Sequence, residues 1–243
     1  MAGKASNGGG VSGRGNGNVQ FMVAADNQIL RMRTTLAVPG KPNGNTTLFL
    51  WPGLEPVQGS PHYSPIGTGV LQPVLTWGGS CAPGSIQTRQ GNNWWISSQY
   101  VNTLGNEPDH KGCYGGKTMN VESGDLLDID MVLKGTIWTQ TVTSRMTGKS
   151  VDFDMDLEMQ EQRWALFEIE MPTNTKPAED VVFTNTVMDF AKAEPGACKG
   201  SARGSDDYFS APVASTDGMH CCVERIVLRL SGAKPTTMDP APP

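Results

Sequence analysis

Three observations predict an all-β fold, an antiparallel β-sandwich or jelly roll. Apolar side chains recur at period two in one segment after another. Glycine (29) and proline (17) are abundant while charged residues make up only 18% of the 243, the balance of many short strands joined by tight turns. No stretch carries the three-and-four spacing of an amphipathic helix.

The elements follow in order. Leu30, Met32, Thr34, Leu36 and Val38 alternate with Arg31, Arg33, Thr35 and Ala37, a strand with one buried face. After the turn cluster at residues 39–44, residues 47–51 read as a buried strand closed by Pro52-Gly53. Residues 58–69 form a loop, residues 70–77 the next strand, and residues 78–91 a long loop with Cys81. Residues 93–101 form an aromatic strand: Trp94, Ile96, Ser98 and Tyr100 point one way, Trp95, Ser97 and Gln99 the other. A polar loop over residues 103–118 leads to the Ser123-Gly124-Asp125 turn and a strand with the core stripe Leu127, Ile129, Met131 and Leu133. Residues 136–145 and 150–158 flank the turn at residues 146–149. In residues 164–171, Ala165, Phe167 and Ile169 face one side, and Trp164, Leu166, Glu168 and Glu170 the other. Residues 181–189 and 222–230 are the last two strands, separated by a loop-rich stretch. About ten strands result, with no repeat period. One sandwich domain spans residues 19–231, between a disordered Gly/Ser/Asn-rich tail (1–18) and a Pro-rich tail (232–243).

A net charge of −5 with no Lys/Arg cluster argues against a nucleic-acid partner, which needs a basic surface. No apolar run reaches the length of a membrane span. The first residues contain no apolar signal segment. On this chain alone the protein is cytoplasmic or unconventionally secreted, or extracellular where a signal has been removed. Five cysteines lack the CxxC spacing of a zinc site. Cys81, Cys113, Cys198, Cys221 and Cys222 fit two loop-stapling disulfides with one leftover thiol, and equally five reduced thiols. Asn45-Thr46-Thr47 is a glycosylation sequon.

The order of motifs resembles the glutamic peptidase (eqolisin) family, a concanavalin A-like β-sandwich. The counterparts are Pro52-Gly53-Leu54-Glu55, Val70-Leu71-Gln72-Pro73, Trp94-Trp95-Ile96, Ser123-Gly124-Asp125, Gly148-Lys149-Ser150-Val151 and the strand from Ala165 to Glu170, over roughly residues 47–190. The Trp-Pro-Gly-Leu, Leu-Gln-Pro-Val-Leu and Trp-Gly patterns also resemble fungal proteins assigned to the concanavalin A-like lectin/glucanase superfamily, a name that describes a fold. The eqolisin resemblance implies a Gln that stabilises an oxyanion and a Glu that activates water. Gln72 falls on the Gln position. Leu166 falls on the Glu position and cannot accept a proton. Glu168 lies two residues on, on the same face and about 7 Å along the strand.

The expected function is therefore glycan or polysaccharide binding in a lectin-like groove, with no cofactor. Indole faces stack on sugar rings. The candidate ligand-binding residues are Gln72, Trp51, Trp95, Gln99, Trp164, Glu168 and Glu170. The alternatives are an acid-active hydrolase using Gln72 with Glu168 or Glu55, which would take a peptide, and a polysaccharide-cleaving enzyme on the same fold. Glu168 and Glu170 share a face at a separation that suits an inverting glycosidase. No metal set is expected: Asp152, Asp154, Asp156 and Glu158 read as a solvated strand face, because a straight strand spreads the oxygens that calcium needs converged. Asp206-Asp207 is a weaker calcium candidate. His62, His110 and His220 read as surface residues in or beside loops.

Overall fold

The computed structural model describes residues 17–44, 46–57, 66–81, 93–102, 108–171, 175–202, 206–230 and 233. The N-terminal tail through residue 16, Asn45, His62 and the C-terminal tail from residue 234 lie outside the described residues.

Among the described residues the chain forms sixteen strands: β1 (Asn18–Met22), β2 (Ile29–Ala37), β3 (Leu48–Glu55), β4 (Val70–Trp77), β5 (Trp94–Asn102), β6 (Gly112–Gly115), β7 (Met119–Val121), β8 (Leu126–Lys134), β9 (Ile137–Ser144), β10 (Ser150–Asp156), β11 (Trp164–Glu170), β12 (Val181–Phe190), β13 (Ser201–Ala202), β14 (Tyr208–Phe209), β15 (Val213–Ala214) and β16 (His220–Leu228). They build two antiparallel sheets. The first runs β13-β1-β11-β3-β4-β5-β6, with β7 also paired to β5. The second runs β10-β9-β8-β2-β12-β16-β14, with β15 also paired to β16. The expected all-β antiparallel sandwich is the observed architecture.

Alternation decides which side chains meet between the sheets. Leu50, Leu71, Leu75, Trp94, Ile96, Tyr100, Ala165, Phe167 and Ile169 of the first sheet join Met32, Leu36, Ile129, Met131, Trp138, Phe183 and Ile226 of the second in one core. Gln140 of β9 also points inward and gives its Nε2–H to the Gln99 carbonyl of β5 at 2.9 Å, a polar tie between the layers.

Several expectations need correction. Asn18 falls in the expected tail and residues 19–22 carry no expected strand, yet residues 18–22 form β1; its five residues pair with β11, and Asp207 receives the Asn18 N–H at 2.8 Å. Asp207 thus anchors backbone. The "polar loop" over residues 103–118 contains β6, which pairs with β5. His110 is buried, not superficial: its Nε2 lies 2.9 Å from the Asp156 carbonyl at the β10 edge.

The strand β3 does not stop at Pro52-Gly53. It continues to Glu55 because the pairing with β11 runs unbroken from Phe49↔Glu170 to Glu55↔Trp164. On its other side, β3 pairs with β4 at Leu50↔Leu75 and again at Leu54↔Leu71. That constant register sets Pro52 opposite Pro73. Neither has an N–H to donate, so the ladder is interrupted between those two pairs.

The cysteines form two disulfides, Cys81–Cys113 and Cys198–Cys221, and leave Cys222 as an exposed thiol. No described helix is long and apolar enough to cross a membrane.

Candidate functional site

The outer face of the first sheet gathers the residues singled out in the sequence. Register alone places them. One row runs Ser201–Gln20–Leu166–Gly53–Gln72–Gln99–Gly115 across β13, β1, β11, β3, β4, β5 and β6. The next runs Asn18–Glu168–Trp51–Val74–Ser97. Phe49 stands beside Glu170, and Trp164 between Met22 and Glu55.

Leu166 and Gln72 therefore lie in one row, two strands apart, or about 9.6 Å at the backbone. Gly53 stands between them. A Cβ there would meet the Trp51 ring at 2.9 Å and Val70 Cγ1 at 2.9 Å, so those side chains already occupy the space above it. Trp51, Val74 and Leu166 form a second, smaller apolar cluster, with Phe49, Val70 and Trp164 packed against it. Indole and leucine fill the gap where a carboxylate and an amide would have to share a water.

The proposed partners of Gln72 fare differently. Glu168 is offset from Gln72 by two strands and by two residues along the strand, roughly 12 Å at the backbone. Trp51 stands between them. Glu55 lies on the same face, a diagonal step from Gln72. The register brings neither carboxylate directly opposite Gln72. Trp95 and Gln99 are correctly placed on this face but are 0% and 1% exposed. The Trp95 indole N–H is spent on the Gly78 carbonyl at 2.9 Å, and the Gln99 Nε2 is buried without a hydrogen-bond acceptor. Trp95 offers no ring face to a ligand, which removes it from the list of stacking residues. Gln72 and Trp51 are 8% and 6% exposed.

The accessible part of the face lies at β1, β11 and the outer half of β3. Phe49, Trp164, Glu168, Glu170, Glu55 and Gln20 are half-buried there, and Met22 is exposed. Asn18 gives its Nδ2–H to Glu168 Oε2 at 3.3 Å. Burial raises the Glu170 carboxyl above its ordinary value; the nearby Trp51 indole N–H pulls the other way, from a position that falls short of a full hydrogen bond. Asn18 and Gln20 are the members the sequence reading missed. They sit next to the glycine-rich tail, and only pairing with β11 reveals them. Among the described residues no group of three or more His, Cys, Asp or Glu side chains converges as a metal site would require. Asp152, Asp154, Asp156 and Glu158 are exposed on the other sheet's edge.

Fold and face together define the class: an antiparallel β-sandwich with an aromatic and carboxylate-bearing open face. No model of a known protein family matches the chain, and no curated protein matches it in sequence. Among solved structures the chain is similar to SCP-B, a member of the eqolisin family of peptidases, in complex with the tripeptide Ala-Ile-His. The identity is 14% and the TM-score 0.47, over 86% of this chain and 97% of that one. It is also similar to the enzymatically active domain of bacteriophage CBA120 tailspike protein 2, at 11% identity and TM-score 0.39, over 70% of this chain and 23% of that one. A third likeness is to the CBM2 module of the evolved Dit protein of Lactobacillus casei BL23 phage J-1, at 10% identity and TM-score 0.32, over 63% of this chain and 53% of that one.

Proposed function

We propose that this protein is a carbohydrate-binding, lectin-like β-sandwich whose ligand lies on the β1–β11–β3 face of the first sheet. The observation that carries this reading is the Leu166–Gly53–Gln72 row. Its centre is filled by Trp51 and Leu166, which supports binding over water-activated cleavage at Gln72. Half-buried Trp164 and Phe49 supply flat apolar surface for a sugar ring, and Glu168, Glu170, Gln20 and Asn18 supply polar partners around it. Glycan-array and polysaccharide pull-down measurements test the reading. Binding by the wild-type chain that is lost in Trp164→Ala supports it. A folded protein that binds no glycan overturns it.

One observation favours a second reading. Glu168 and Glu170 share a face about 7 Å apart, and burial raises Glu170 as a proton donor requires. Release of reducing ends from a polysaccharide, abolished in Glu170→Gln, would move the assignment to a glycosidase.

A further inference from the structure

The outer face of the second sheet, on the far side of the sandwich from the glycan face, carries a histidine and a thiol side by side. His220 and Cys222 stand two residues apart on β16, so they point the same way, and both are exposed. The pairing with β12 is unbroken across them, from Asp189↔His220 to Val187↔Cys222. The strand is therefore regular there and sets their backbones about 6.7 Å apart. Cys222 is the thiol that the two disulfides leave over.

The imidazole is already oriented as a ligand. Its Nδ1 lies 2.9 Å from Asp189 Oδ1. An ionised carboxylate only accepts, so in the neutral ring Nδ1 carries the proton and Nε2 the lone pair. A carboxylate on the far nitrogen is the usual outer partner of a metal-bound histidine, because it fixes the ring and makes the other nitrogen more basic. Arg33 Nη2, 3.7 Å from the same oxygen, holds Asp189 in turn. Asp217, in the turn before β16, is committed elsewhere: it receives the Ser215 hydroxyl at 2.6 Å and the Met219 N–H at 3.0 Å. Among the described residues one chain thus brings two ligands to this place and no third.

Thiolate and imidazole ligands close around zinc as a tetrahedron of four. A two-fold axis through the metal turns two ligands into four, and isologous contact is the commonest way for a chain to meet its own copy. The surroundings suit such a contact. Cys222 lies between Val187 of β12 and Val213 of β15. Val213, at 64%, is the most exposed of the large hydrophobic side chains described, and a second copy seated here would cover it.

We propose that His220 and Cys222 are half of a zinc site, completed by the same two residues of a second copy of this chain. The soft thiolate with imidazole selects zinc over calcium or magnesium, which take oxygen ligands. Each thiol loses its proton to solvent as the metal binds, so no oxidant takes part, and two thiolates balance the charge of the ion. Asp189 is a positioning residue that acts through His220.

The test uses the full chain with both disulfides intact, freed of metal with a chelator, and zinc chloride as the probe. Calorimetry should give one zinc per two chains. Sedimentation should show a dimer that forms in step with the metal and disperses in EDTA, and zinc should protect Cys222 from alkylation. Cobalt in place of zinc should show the absorption of a tetrahedral, thiolate-bound ion. Cys222→Ser and His220→Gln should each abolish the metal-dependent dimer while the metal-free melting curve stays near that of wild type. Asp189→Asn should weaken zinc binding about tenfold or more. One zinc per chain without a dimer overturns the shared site. A dimer that forms without metal and separates on reduction overturns it in favour of a disulfide between the two Cys222 thiols. Zinc binding that persists in both ligand variants overturns it, as does a folded chain with an alkylatable Cys222 that binds no zinc.

Discussion

Gly69 and Tyr100 show how little room single residues have. Tyr100 is fully buried, with its hydroxyl 3.3 Å from the Asn102 amide, and a Cβ on Gly69 would fall inside its phenol ring. Gly69→Ala must therefore push a core aromatic aside, and overpacking of that kind costs about 1–3 kcal/mol. Chemical denaturation should show the loss with little change in m-value. Glu170 and Asp128 make an opposed pair in their response to pH. Burial raises Glu170, so its stabilising contribution is complete below the unfolded carboxylate range and is lost as pH rises through the folded value. Burial also pushes Asp128 up, but hydrogen bonds from Arg145 and Thr35 outweigh it and hold the carboxyl below its ordinary value. Its contribution is present above the unfolded range and fades as pH falls. Glu170→Gln should raise the melting temperature at neutral pH and leave it unchanged in acid. Asp128→Asn should lower it at neutral pH and converge with wild type in acid.

At the scale of elements, period-two alternation was legible wherever a strand is long and has one core face. The inward set of β5, β8 and β11 follows directly from their sequences; in β2, Met32 and Leu36 point inward as expected, but Ile29 takes the core place expected for Leu30, where the pairing with β12 shifts register. The short strands were not legible, for a physical reason. The strand β1 is Asn-Val-Gln-Phe-Met, too brief to show a period, and β6 is Gly-Cys-Tyr-Gly, poor in strand formers. Both exist because a neighbouring strand offers an edge. In the candidate site, the placement of Gln72, Leu166, Glu168 and Glu170 on one face could be read from parity. That Trp95 is buried on the same face could not, because parity reports direction and not cover. The bond Cys81–Cys113 ties β6 to the segment after β4 across 32 residues. Closing a loop of that length contributes about 3.7 kcal/mol in the chain-entropy account. Replacing both cysteines by serine should lower the melting temperature measurably. Native alkylation of the wild-type chain should label Cys222 alone, and all five thiols after reduction and unfolding.

For the molecule as a whole, neither disulfide joins a strand of one sheet to a strand of the other. Cys81–Cys113 lies at the first sheet, and Cys198–Cys221 ties β16 of the second to the short turn at Pro195–Cys198 on the connection from β12 to β13. The layers are joined by the common core, by Gln140 on the Gln99 carbonyl, and at the rims by His110 on Asp156 and Asp207 on Asn18. Within the first sheet the facing prolines leave a local gap: β3 and β4 are paired at Leu48↔Trp77, Phe49↔Thr76 and Leu50↔Leu75 and again at Leu54↔Leu71, and the line between the two strands lacks rungs where Pro52 meets Pro73. The row from Leu166 to Gln72 crosses that line, and the Trp51 indole lies over it as a splint. Packing does there what hydrogen bonds do along the rest of the sheet. At that gap the stiffness of the open face is therefore set by side chains.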